Sequence, residues 1–489
     1  MRRFVLVAGL IVASCKGNPK GKVEPQTGSA GSAGSAGSAE QVVQGEPCKK
    51  AEQKGPIAWI EDDFASALAC AKQKKLPIVL DLWAPWCHTC IAMQTTVFMD
   101  KSMEQRATKF VFAALDTDRE ENAAAVGKFS TTAMPTFYVI GPDEAVLARF
   151  VGAATLDQFQ EFLESAQRAQ IGTLMDADKH FLEGQRAMAR KDFDTAEKEL
   201  TGALEQGPAA WLRRPEVIYY LQVVRAKRGN NAGCLKLSGE QMDAVGNTAI
   251  ATNFWQKAIE CADALATTDA TAKPIRERAI SKLKKTLDDT AAPLSPDDRA
   301  EALGFLRDAL DEEGKKADAK AAAEKSRVFI DEQWKKAETP FARMAWAWPR
   351  ADVYAYLGKP LELVADYEKL AADMPKEYEP HARLGWLYLK AGKAPEAAKE
   401  TDAAIALVYG PRKARLLSQR AEIAALAGDT AAEKKLREQV VQTWESLPEG
   451  QRNADALAKA KQTLDALEAG SAAGSAAPTG RAPLGSAKK

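Results

Sequence analysis

The sequence predicts an α/β layered domain followed by an all-α helical-repeat array, and three observations carry that expectation. Between about residues 57 and 170, short apolar runs of buried-strand type alternate with helical periodicity. From about Thr173 to Leu467 the chain is rich in Ala, Leu, Glu and Lys and has few strand-like runs. Glycines recur there at helix-to-helix turns, with 34 residues from Gly358 to Gly392. The length of 489 residues fits more than one core. Lys plus Arg balances Asp plus Glu at 67 each, which argues against a nucleic-acid-binding chain with its basic excess. Three histidines and seven cysteines restrict the chemistry to one small constellation.

The amino end reads as an address. Met1-Arg2-Arg3 precedes an apolar run from Phe4 to Ala13 and then Val12-Ala13-Ser14-Cys15, a charged, then apolar, then small-residue order. The run is shorter than the roughly 20 apolar residues a membrane-spanning helix needs. Val-Ala-Ser-Cys resembles the bacterial lipobox, which implies lipidation of Cys15 over residues 1–15; an ordinary cleaved signal is the alternative. Lys16, where inner-membrane retention uses Asp, leans the expected location toward the periplasmic side of the outer membrane. Residues 16–52 read as a flexible linker, with Gly-Ser-Ala repeats through Ala39 and a reach on the order of 30 Å. Residues 468–489 return to Gly, Ser, Ala and Pro and read as a disordered tail.

Within 53–170, Ile60 to Lys75 reads as a helix and Ile78 to Trp83 as a buried strand. Cys87 to Lys109 reads as helical, Phe110 to Leu115 as a strand, and Glu121 to Phe129 as a short helix. Thr136–Ile140 and Ala145–Val151 form two strands around a Gly141-Pro142-Asp143 turn, and Leu156 to Ala169 closes with an amphipathic helix.

The chemistry sits at the first strand-to-helix junction, Trp86-Cys87-His88-Thr89-Cys90. Two cysteines at this spacing can close a small disulfide ring, and the first sulfur lies where free N–H groups and the helix dipole stabilise a thiolate. A thiolate attacks disulfides, so Cys87 is the nucleophile and Cys90 the resolving thiol. His88 is either a cation that lowers the Cys87 pKa or an exposed spacer. A c-type haem site would need His at Ile91, and no second Cys-x-x-Cys is present to complete a zinc site, so neither metal nor cofactor is expected.

Leu80-Asp81-Leu82-Trp83-Ala84-Pro85-Trp86-Cys87 and Met134-Pro135-Thr136-Phe137 resemble the thioredoxin superfamily over about 115 residues. The resemblance implies that Asp81 is the buried carboxylate that moves the proton of Cys90 and that Pro135 is cis. It places a substrate contact at Met134, through its backbone; Trp86 and His88, on either side of Cys87, are further candidate substrate contacts. The dipeptide His88-Thr89 departs from Gly-Pro, which leaves the potential open, and the wider pattern looks like periplasmic domains of the disulfide-isomerase-reducing type.

Four further cysteines remain, Cys48, Cys70, Cys234 and Cys261. In an oxidising compartment three connectivities are possible; the local one, Cys48 with Cys70 and Cys234 with Cys261, keeps each bridge inside one unit, and buried free thiols are the alternative.

Over 173–467, Gly184, Ala187, Phe193, Ala196, Leu200, Ala203, Leu204 and Pro208 resemble a tetratricopeptide repeat, and Leu384, Gly385, Tyr388, Gly392, Ala397 and Ala404 repeat the pattern. Gly229, Gly314 and Gly428 mark further turns, while the stretch from Asn247 to Lys336 looks degenerate. The resemblance implies a concave face that binds a partner protein. Trp334, Trp346, Trp348 and Trp386 read as inter-repeat core before they read as such a face, and His180 and His381 hold equivalent packing positions.

Together these readings describe a lipid-anchored, cell-envelope thiol:disulfide oxidoreductase, a protein-disulfide reductase or interchange enzyme whose repeats recruit a client or redox partner. The alternatives are a non-enzymatic holdase or assembly scaffold, and a thiol donor for cytochrome c maturation.

Overall fold

Runs such as Ile78-Val79-Leu80-Asp81-Leu82-Trp83 are apolar on both faces, as strands sandwiched between helices must be. The computed structural model describes residues 46–129, 131 and 133–475. Its six strands are β1 (Glu52–Lys54), β2 (Ile57–Glu61), β3 (Ile78–Trp83), β4 (Val111–Asp116), β5 (Thr136–Ile140) and β6 (Val146–Val151). They form one mixed sheet in the order β1-β2-β4-β3-β5-β6. The pairs β2/β4 and β4/β3 are parallel, whereas β1/β2, β3/β5 and β5/β6 are antiparallel. Helices α1 (Phe64–Lys74), α2 (His88–Thr95), α3 (Met103–Ala107), α4 (Ala123–Lys128) and α5 (Leu156–Gln170) cover it. Alternation along the strands sends Val79, Phe112 and Phe137 into one core with Phe98 and Phe159, and Leu80, Leu82 and Tyr138 into another with Ala67 and Phe129.

Three expectations change here. The helix expected over Ile60–Lys75 is strand β2 followed by α1, because Trp59 and Ile60 pair with Phe112 and Ala113, and Asp63 caps α1 by accepting from the Ser66 N–H. The helix expected over Cys87–Lys109 breaks after Thr95 into a 3₁₀ turn, Val97–Met99, and then α3, with the Thr95 and Thr96 hydroxyls turned back onto the carbonyls of Ile91 and Ala92. The end of the expected linker is built in: Pro47–Lys50 is a 3₁₀ turn, and a Cys48–Cys70 disulfide fixes it to α1.

The rest is helical. Hairpins follow one another as α6 (Asp176–Ala189) with α7 (Phe193–Gln206), α8 (Arg214–Lys227) with α9 (Asn231–Gln241), and α10 (Ala249–Asp263) with α11 (Ala272–Asp288). Next come α12 (Pro296–Glu312) with α13 (Lys316–Lys336), α14 (Pro340–Tyr356) with α15 (Val364–Asp373), α16 (Tyr378–Lys390) with α17 (Ala394–Leu407), and α18 (Gly410–Leu426) with α19 (Thr430–Ser446). Helix α20 (Ala454–Ser475) runs past the tail boundary set at 467. This is the all-α repeat array the glycine spacing predicts. Its stretch of drifting spacing is still regular hairpins, packed through Phe254, Trp255, Leu283 and Leu303 and tied by a Cys234–Cys261 disulfide from α9 to α10. His180 and His381 are equivalent: each Nδ1 meets a glutamate of the following helix, Glu199 at 2.7 Å and Glu400 at 2.8 Å. Trp334 stacks on Tyr367, Trp346 lies in the repeat core, and Trp348 meets Trp386 edge-on.

The first helices of several hairpins are occupied by the chain's own α/β domain. Gln185 of α6 donates to the Arg149 carbonyl of β6 at 3.0 Å. Ile91 and Ala92 of α2 share one apolar cluster with Ala345 and Trp346 of α14. Gln451, after α19, donates to the carbonyls of Thr117 (2.9 Å) and Arg119 (2.6 Å) beyond β4. Among the described residues, no helix is long and apolar enough to cross a membrane.

Candidate active site

Strand β3 delivers the chain to a turn in which the Cys87 N–H donates to the Ala84 carbonyl at 3.0 Å, and α2 begins there. Cys87 is the N-cap: its sulfur accepts from the Cys90 N–H at 3.1 Å, so the first sulfur sits on the unsatisfied donors of the helix. Cys87 and Cys90 form a disulfide with Cα atoms 5.2 Å apart. The outer sulfur's residue is only 5% exposed and Cys90 1%.

Asp81 lies in the middle of β3, opposite Phe137 of β5 and Ala114 of β4. It is buried, and its Oδ1 has no hydrogen-bond partner. Burial pushes its pKa up to about 8, Glu61 adds to the rise, and the Gln94 side chain offsets part of it. The carboxyl therefore keeps its proton to a higher pH than an exposed carboxyl does. It lines a cavity of about 910 Å³ with Ile91 and Asp116, and Trp346 and Tyr409 line it from the array side. The Met134–Pro135 peptide is cis, Pro135 is buried, and Met134 Sδ accepts from the Thr117 hydroxyl at 3.7 Å.

His88 is neither the cation nor the exposed spacer that its position suggests. It is half-buried, and desolvation, reinforced by the positive charge of Arg383, lowers its pKa to about 4, so it is neutral at pH 7. The repeats bring arginines to the two residues that flank Cys87. Trp86 packs against Tyr378, Ala404, Val408 and Leu416, its Nε1 donates to Asp118 Oδ2 at 2.7 Å, and Arg412 and Arg415 lie 5.7 and 5.1 Å from its ring. Arg412 and Arg383 share the buried Glu379 at 3.2 and 2.7 Å. Cys15 falls outside the described residues.

The structure thus places Trp86, Cys87, His88 and Cys90 at the junction of β3 and α2, Asp81 inside β3, and Met134 with cis-Pro135 just ahead of β5, with Trp86 and Met134 lining one cavity. It adds two carboxylates. Burial raises Asp116 to about 7, against a hydrogen bond from Tyr409, and Asp118 to about 6, against the Trp86 hydrogen bond and Arg415. The polar run Asp116-Thr117-Asp118 at the C-terminal end of a buried strand is the signal that marks them. The arginines of α16 and α18 carry no local signal. Among the described residues, no group of His, Cys, Asp and Glu is arranged to hold a metal ion.

A cysteine pair capping the second helix of such a sheet, with a buried carboxyl in the strand that precedes it and a cis-proline ahead of β5, defines a thioredoxin-fold redox domain. A family model described as thioredoxin-like matches residues 59–142. Thioredoxin of Haemophilus influenzae is 30% identical over 101 residues, 21% of this chain and 87% of that protein. Through this domain the chain belongs to the thioredoxin family. Thioredoxin C-3 of Corynebacterium nephridii is 27% identical over 24% of this chain and 74% of its own length. The thiol:disulfide interchange protein DsbD of Pectobacterium atrosepticum is 31% identical over 22% of this chain, which spans only 19% of that protein. A tetratricopeptide repeat protein of Parabacteroides merdae matches 60% of this chain and 99% of its own at 14% identity and a TM-score of 0.39. At family level the Cys87–Cys90 pair is that of a thiol–disulfide oxidoreductase.

Proposed function

We propose that the chain is a lipid-anchored, cell-envelope thiol:disulfide oxidoreductase that reduces or interchanges disulfides through Cys87 and Cys90. The observation that carries this is the Cys87 sulfur at the N-cap of α2, bonded to Cys90, with the buried Asp81 in the strand that leads into that helix. With the pair reduced, the Cys87 thiolate attacks a substrate disulfide, and one substrate sulfur leaves as a thiolate and takes up a proton. Cys90, losing its proton towards Asp81, attacks the mixed disulfide, releases the second substrate thiol and leaves the pair oxidised. Two electrons pass to the substrate, and a dithiol reductant must restore them. A partner recruited by the repeats meets their outer helices, since the first helices of several hairpins hold the domain. The anchor rests on the sequence around Cys15, and Cys15→Ser should release the protein from the membrane fraction.

The test is the reduction potential of the Cys87/Cys90 couple in the full-length protein, by equilibration with glutathione and alkylation. A value near about −270 mV marks a reductase or interchange enzyme, and one near about −120 mV a disulfide donor. Absence of a reversible couple removes the redox reading. The near-complete burial of Cys87 favours a second reading, a holdase or scaffold. It would show as client protection that survives Cys87→Ser with Cys90→Ser.

A further inference from the structure

The face of the domain that should meet a substrate is roofed by the array. The indole of Trp86 is packed among residues of α16, α17 and α18, and the active-site helix α2 lies against α14. A cavity of about 1140 Å³ lies between the domain and the end of the array, next to residues that flank the pair in the chain. Its domain wall includes Trp86, the chain neighbour of Cys87, and Met134, the chain neighbour of cis-Pro135. The opposite wall comes from the end of the array, with Arg415 of α18, Trp444 of α19 and Ala454 at the start of α20.

Size decides what can enter. A folded partner docks over roughly 800 Å² of its own surface, whereas Cys87 is only 5% exposed and its neighbour Trp86 is packed against the array. A cavity slightly above the roughly 300–1,000 Å³ of small-ligand sites admits a small disulfide or a few extended residues. Resting on the redox reading above, we infer that the array completes a substrate pocket that selects narrow disulfides, carried on an unfolded segment or a small molecule, and rejects disulfides on folded domains. Arg415, Trp444 and Ala454 set that limit. The exchange is the one already balanced above: the reduced pair gives two electrons to the narrow disulfide, and a dithiol small enough to enter the same pocket regenerates it.

The test uses the full-length protein reduced with dithiothreitol and then freed of it. Three probes are compared: oxidised glutathione, an unstructured peptide closed by one disulfide, and a folded domain with a surface disulfide. The pocket predicts rate constants at least 100-fold higher for a narrow probe than for the folded one. Ala454→Trp, an exposed position on the array wall, should slow the narrow probes at least tenfold while the glutathione-equilibrium potential stays unchanged. Slowing of the peptide alone assigns the pocket to chain segments, and slowing of both assigns it to small disulfides as well. Equal rates for the folded and narrow probes, or no effect of Ala454→Trp, overturns the pocket while leaving the couple intact. Loss of the couple itself, read independently by alkylation, is instead a failure of the redox reading.

Discussion

Tyr409, in the turn ahead of α18, donates a 2.5 Å hydrogen bond to Oδ2 of Asp116, the last residue of β4 and 293 positions earlier in the chain. Burial raises the Asp116 pKa to about 7, and the Tyr409 hydroxyl works against that rise by stabilising the carboxylate. A carboxyl raised above its unfolded value contributes fully below about pH 4 and loses that contribution as pH climbs to about 7. Removing the donor deepens the loss. Tyr409→Phe should therefore cost about 1 kcal/mol at pH 5 and about 2–3 kcal/mol at pH 8, where the acceptor is charged. Denaturant unfolding at the two pH values reads the difference, and an equal cost at both would deny Asp116 its charge.

Asp81 supplies a sharper case of the same sign. Its pKa of about 8 means that the native state keeps a proton the unfolded chain releases above about pH 4. Asp81→Asn should thus stabilise the protein by an amount that grows from pH 4 to pH 8 and reaches on the order of a few kcal/mol. The same variant should slow resolution of the mixed disulfide about 100-fold, because Cys90 loses its proton acceptor. Trapped mixed disulfide, counted by mass spectrometry, reads the second effect. A variant that gained stability without accumulating the adduct would leave Asp81 a structural residue.

His88 behaves in the opposite sense. Its pKa of about 4 lies below the ordinary 6.5, so the contribution of the neutral ring is present above pH 6.5 and lost as pH falls towards 4. His88→Gln should remove that acid sensitivity. At pH 7 the ring carries no charge to remove, so the potential should move by less than about 10 mV, against the roughly 30 mV of a tenfold change in equilibrium constant. A shift of 30 mV or more would restore His88 as the cation beside the nucleophile.

The elements that local chemistry determines were legible. Cys87-x-x-Cys90 at a strand-to-helix junction, the buried-strand run around Asp81 and the helix-turn glycines all place their elements correctly, because each depends on neighbours within a few residues. Strand β1 was not legible, since Glu52, Gln53 and Lys54 are all exposed and show no apolar alternation. Strand β2 was hidden because Trp59 and Ile60 fit the period of the helix that follows, and only pairing with Phe112 and Ala113 decides otherwise. The surroundings of the redox pair were the least legible part. Arg383, Arg412, Arg415, Tyr409 and Gln451 reach it from about 300 residues away, and a helical pattern in the repeats does not say which face will meet the domain. The charge on His88 therefore could not follow from its position beside Cys87, because Arg383 and burial decide it.

The last contact of the array tests whether its closure over the domain matters to Cys87. Gly450, in the 3₁₀ turn Glu449–Gln451 after α19, lies so close to α4 that a Cβ there would collide with the Ala123 carbonyl and approach the backbone of Gly127. Backbone on both sides cannot give way as a flexible side chain would, so Gly450→Ala must push the turn off α4 and weaken the neighbouring Gln451 bonds to Thr117 and Arg119. The expected cost is about 2 kcal/mol, in the range of overpacking at a close-packed contact. In the reduced protein, a bulky maleimide should reach Cys87 at least tenfold faster in this variant, while small iodoacetamide gains much less. Gly304→Ala is the matched control: Gly304 sits inside α12 with no atom near its would-be Cβ, so alanine there should stabilise by up to about 1 kcal/mol and leave both alkylation rates alone. If Gly450→Ala matched that control in both readouts, the end of the array would not be what covers the nucleophile.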